Sequence, residues 1–76
     1  MKEKTYFVYL ILINDEESKE ELFAKDLTHE QAMEQWEYAD HLMEDRCYEQ
    51  YPHRSACIGC TERDTYVAQR LGLLND

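Results

Sequence analysis

The chain has 76 residues, enough for one domain with a modest core. Its 43% hydrophobic content argues against wholesale disorder. A net charge of −9 makes it a poor direct ligand for DNA, RNA or an anionic membrane. The same charge suits a partner protein that itself binds nucleic acid.

The three cysteines are an odd count for a disulfide scaffold, so a reducing cytoplasm is the expected setting. An apolar run follows Lys2 and Lys4, which has the outline of a signal peptide. The run is only eight residues long, with acids next and no small-residue cleavage site. Neither export nor membrane spanning is expected.

Residues 5–13 are β-branched and aromatic, without Gly or Pro, and predict a strand. Its two alternating faces are both apolar. One carries Tyr6, Val8, Leu10 and Leu12, and the other Phe7, Tyr9, Ile11 and Ile13. Such a strand belongs at the centre of a sheet or at an interface, and a homodimer is one way to cover it. Residues 14–19 predict a polar turn, and residues 20–25 a second strand returning antiparallel.

Thr28 and Gln31 predict a helix start through a T-x-x-Q capping box, with Leu27 stapled onto Ala32. Ala32, Trp36, Ala39 and Met43 fall on one face, flanked by Met33 and Leu42. The pattern extends toward Tyr51, where Pro52 disfavours helical geometry. Residues 52–60 read as a loop. The tail reads as a short helix with Val67, Leu71 and Leu74 inward, capped by Thr61-x-x-Asp64 and ended near Gly72. A third strand over residues 65–71 is the alternative. The expected fold is α+β: an antiparallel β-hairpin packed by one long amphipathic helix, with a short C-terminal element.

From residue 27 to residue 45 there is no lysine or arginine, yet Glu30, Glu34, Glu37, Asp40, Glu44 and Asp45 are all there. The middle third of the chain thus carries most of the net charge. Glu30–Glu34 and Asp40–Glu44 are like-charge i,i+4 pairs, and Glu34–Glu37 and Glu37–Asp40 are i,i+3 pairs. Together these four pairs destabilise a helix by about 1–2 kcal/mol at low salt. Solubility alone does not require that arrangement, although charge runs are also common as solvated faces. Successive turns space the carboxylates about 5–6 Å apart along the axis, comparable to a ladder of phosphates. Glu16, Glu17, Glu20 and Glu21 extend the acidic surface around the hairpin. These six helix residues are the expected partner-binding site.

Cys57 and Cys60 form a C-x2-C pair, with His53 four residues before it and Cys47 ten residues before. Three sulfurs and one imidazole match a Cys3His zinc site, which would staple a small domain. A redox dithiol and three plain reduced thiols are the other readings. No Gly-rich phosphate loop, Ser/His/Asp set or helical His-x3-His pair is present, and no enzyme is expected.

In size, charge and organisation the chain resembles the small acidic proteins that phages encode against host defence, including anti-CRISPR and DNA-mimic inhibitors. The resemblance implies a non-enzymatic inhibitor that occupies a basic, nucleic-acid-binding surface of a partner. A zinc-stabilised adaptor built on Cys47, His53, Cys57 and Cys60 is the alternative.

Overall fold

The computed structural model describes residues 5–73. Strand β1 (Tyr6–Ile13) turns into β2 (Ser18–Leu27), and helix α1 (His29–Leu42) follows. A 3-10 turn (Arg46–Tyr48), strand β3 (His53–Cys60) and helix α2 (Thr65–Arg70) complete the chain. The strands form one antiparallel sheet in the order β2-β1-β3. The fold is α+β, as the sequence predicts. Among the described residues no helix is long and apolar enough to cross a membrane.

β1 is central because both its faces are apolar and both must be covered. Val8, Leu10 and Leu12 pack against Ala32, Ala39 and Met43 of the α1 layer and against Tyr51. Thr28 begins α1 with the expected capping box. Its hydroxyl accepts from the Gln31 N–H at 3.2 Å, and the Gln31 side chain accepts from the Thr28 N–H at 3.0 Å.

The hairpin is tied by Asn14, whose Oδ1 accepts from the amides of Glu16 and Glu17. The register slips on either side of Val8, so β2 bulges near its end. Asp26 takes the left-handed conformation there, with φ 57°.

Residues 53–60 form β3, not the loop expected from their composition. The reason is tertiary. Without β3, one edge of β1 would leave its N–H and C=O groups unpaired beside two packed layers. α1 also stops earlier than the pattern suggests, at Leu42 with Met43 as its C-cap. The Asp45 side chain there accepts from the Cys47 N–H at 3.0 Å and starts the 3-10 turn. The Arg54 guanidinium donates to the Met43 carbonyl and, at 2.7 Å, to the Tyr51 carbonyl. It thereby places a cation at the negative end of α1.

The tail is a helix, which decides against a third strand over residues 65–71. Asp64 precedes it but spends its Oδ2 on the Cys60 N–H at 2.8 Å instead of capping α2. Val67 and Leu71 are half-buried, and Leu74 lies outside the described residues. α2 packs against β3, while Arg70 reaches Glu20 in β2 with two hydrogen bonds of 2.9 and 2.8 Å. The chain therefore crosses the second sheet face. That face is narrower than β1 alone suggests. Phe7 is fully buried, Tyr9 and Ile11 are half-buried, and Ile13 and Leu22 are exposed.

Candidate interaction surface

α1 turns about 100° per residue. Ala32, Ala39 and Met43 point at the sheet and are buried. Trp36, on one flank, donates its indole N–H to the Ala56 carbonyl of β3 at 2.8 Å. Gln35 and Leu42 form the opposite flank and are half-buried. Glu30, Met33, Glu34, Glu37 and Asp40 are all exposed. Their angular positions continue outward from the Trp36 flank. The acidic stripe thus leans toward β3.

The electrostatics separate two kinds of acid. Around the hairpin, Glu20 is held by Arg70 at 2.8 Å and Glu21 by Lys19 at 3.0 Å. Glu17 accepts from the Tyr51 hydroxyl at 3.0 Å. Three of the four hairpin acids expected to extend the surface are therefore engaged within the fold. On α1, Glu30, Glu34, Glu37 and Asp40 have no salt-bridge partner among the described residues. Glu44 is likewise unpaired there, but it lies past the helix end in the turn that follows.

Asp45 is a structural acid. Its hydrogen bond from the Cys47 amide holds the carboxyl below its ordinary pKa. A lowered folded pKa gives stability that is present above the unfolded value and lost as pH falls through the folded one. Asp45→Ala should therefore be less stable than the parent chain above about pH 4, the unfolded aspartate value. The gap should shrink as the pH drops further. Urea titrations across that range check it, and a gap that stays constant with pH would refute the cap.

One residue on this surface carries no sequence signal beyond its position off the inward stripe. Tyr38 is 72% exposed, and with Glu34, Gln35, Glu37 and His41 it lines a shallow depression of about 370 Å³. An aromatic face beside carboxylates suits a lysine or arginine side chain. Exposed tyrosines are also enriched at interfaces.

The cysteine and histidine residues do not converge. Cys57 and Cys60 lie three apart on a strand, where side chains alternate between faces. Cys57 faces Tyr9 on the second sheet face, and Cys60 is paired with Tyr6 on the α1 side. Their Cα atoms are about 10 Å apart by strand rise, beyond the roughly 7 Å that a disulfide spans. Cys47 is exposed in the 3-10 turn, and His53 is exposed at the start of β3. Among the described residues no three His, Cys, Asp or Glu side chains gather as a metal site.

Cys47 is also poorly set for redox work. The hydrogen bond with the Asp45 carboxylate, and that charge itself, raise the Cys47 pKa. Burial raises the Tyr9 hydroxyl, and the neighbouring Cys57 adds to the shift.

No protein-family model, curated protein or solved structure matches this chain. The functional reading rests on the surface itself.

Proposed function

We propose that the protein is a non-enzymatic acidic binder whose α1 surface occupies a basic, nucleic-acid-binding surface of a partner protein. The observation that carries this reading is the contrast between the two sets of acids. Three of the four hairpin acids are engaged within the fold, whereas Glu30, Glu34, Glu37 and Asp40 have no salt-bridge partner among the described residues. Their mutual repulsion destabilises α1 in the isolated chain and is relieved when a cationic surface docks. Such a protein acts as an inhibitor of the DNA-mimic kind, competing with nucleic acid for the same groove. Tyr38 adds an exposed aromatic ring for a lysine or arginine of the partner. Three free cysteines suit a cytoplasmic encounter.

The test is capture from host lysate on the immobilised protein. A nucleic-acid-binding protein should be retained at about 0.15 M salt and released at about 1 M, as the Debye length falls from about 8 Å to about 3 Å. A double-stranded oligonucleotide should displace it at low salt. Retention that ignores both salt and oligonucleotide would overturn the reading.

A further inference from the structure

The sheet has two outer edges, and they are built differently. The edge strand β2 carries Lys19, Glu20, Glu21, Lys25 and Asp26, and it is bulged where Asp26 turns left-handed. Charges and bulges are the devices that keep a strand edge from pairing. β3 has an uncharged stretch from Ser55 through Gly59. The charge of Arg54 is directed at the carbonyls of Met43 and Tyr51.

Hydrogen bonding shows which backbone groups of β3 face outward. The Thr61 N–H donates to the Thr5 carbonyl across the ladder, so odd-numbered residues bond to β1. The even-numbered residues turn the other way. Consistent with this, the Ala56 carbonyl accepts from Trp36, and the Cys60 N–H donates to Asp64. That leaves both backbone groups of Arg54, the Ala56 N–H and both backbone groups of Ile58 on the outer edge, without a partner among the described residues.

This edge lies on the flank of the molecule toward which the acidic stripe leans. Trp36 joins the two features, since it belongs to α1 and reaches the outer edge of β3. From Trp36 outward, the helix presents Asp40, Met33 and Glu37, and Met33 is 47% exposed. A segment laid along β3 would therefore have Asp40 and Glu37 on its α1 side.

We infer that the outer edge of β3 takes an extended basic segment of the partner as a fourth, antiparallel strand, with lysine or arginine on alternate residues facing α1. The inference rests on the acidic-surface reading and specifies how the partner engages it. Main-chain bonds to Ala56 and Ile58 fix the segment, and the α1 acids select its charge. Residues directly opposed in an antiparallel pair share a sheet face. The residues that bond to Ala56 and Ile58 are therefore the same ones whose side chains meet α1.

That coupling gives the test. The probe is a short peptide of alternating lysine and threonine, titrated into the full isotope-labelled chain and followed by NMR. Two further peptides have the same charge. One is N-methylated at its lysine amides and the other at its threonine amides. The unmodified and threonine-methylated peptides should bind alike and shift the Ala56 and Ile58 amides. The lysine-methylated peptide should bind at least about tenfold more weakly.

Equal binding of the two methylated peptides, with shifts confined to α1, overturns strand addition and leaves the acidic-surface reading standing. No binding by the unmodified peptide also overturns strand addition, while salt-sensitive capture decides the broader reading separately. A dimer in sedimentation with the Ala56 and Ile58 amides already protected would assign the edge to a second copy and overturn the inference.

Discussion

Gly59→Ala is expected to destabilise the fold by about 2–3 kcal/mol, the range of a forced overpacking. A methyl group at this position would sit 2.3 Å from Cζ and 2.6 Å from Cε2 of Phe7. Phe7 and Gly59 are direct cross-strand partners, and the phenyl ring lies over the glycine. The ring cannot swing away cheaply. It is 0% exposed, and the Tyr9 ring packs at 5.7 Å on the same face. Either the ring leaves its rotamer or β3 moves off β1. A chain of 76 residues is stable by about 4–11 kcal/mol in total, so the loss is a large share. Urea unfolding gives the number. Phe7→Leu in the Gly59→Ala background should recover stability, leaving the pair non-additive by more than about 1 kcal/mol. Strict additivity would show that the ring is not the obstacle.

The same glycine shows where sequence reasoning reached its limit. In the sequence, Gly59 falls inside the C-x2-C pair of residues that read as a loop and as part of a zinc site. In the fold it makes room for an aromatic side chain that lies 52 positions earlier in the chain. Strand β1 was legible because its β-branched and aromatic run is a local signal. The start of α1 was legible because Thr28 and Gln31 cap each other within one turn. β3 was not legible, because Ser55, Ala56, Cys57 and Gly59 have little strand preference of their own. It forms because β1 has a second edge to satisfy. Once residues 53–60 become a strand, a period of two sends Cys57 and Cys60 to opposite faces, and the zinc arrangement is lost with the loop. The end of α1 was misplaced for a related reason. Asp45 belongs to the acidic run by charge, yet its side chain starts the next turn. The six acids were visible in the sequence, but their pairing was not. The partner of Glu20 is Arg70, fifty residues away, and only the fold separates engaged acids from unpaired ones.

Reversing Glu34, Glu37 and Glu44 to lysine should weaken partner binding by at least about a hundredfold at physiological salt, since like charges then face each other across the interface. The same triple variant should fold at least as well as the parent chain. In α1 the parent has like-charge neighbours at Glu30–Glu34, Glu34–Glu37 and Glu37–Asp40. In the variant the first and last of these become attractive, and only the middle pair stays repulsive. At about 0.2–0.5 kcal/mol per pair, the change favours α1 by roughly 1 kcal/mol at low salt. The net charge falls from −9 to −3, which also relieves self-repulsion. Binding and stability are thus expected to move in opposite directions, which a merely misfolded variant cannot reproduce. Thermal unfolding at low salt checks the stability half, and calorimetric titration of the captured partner checks the binding half. A triple variant that binds as tightly as the parent chain would mean that these carboxylates are a solvated face. A variant that loses both binding and stability would mean that they serve the fold.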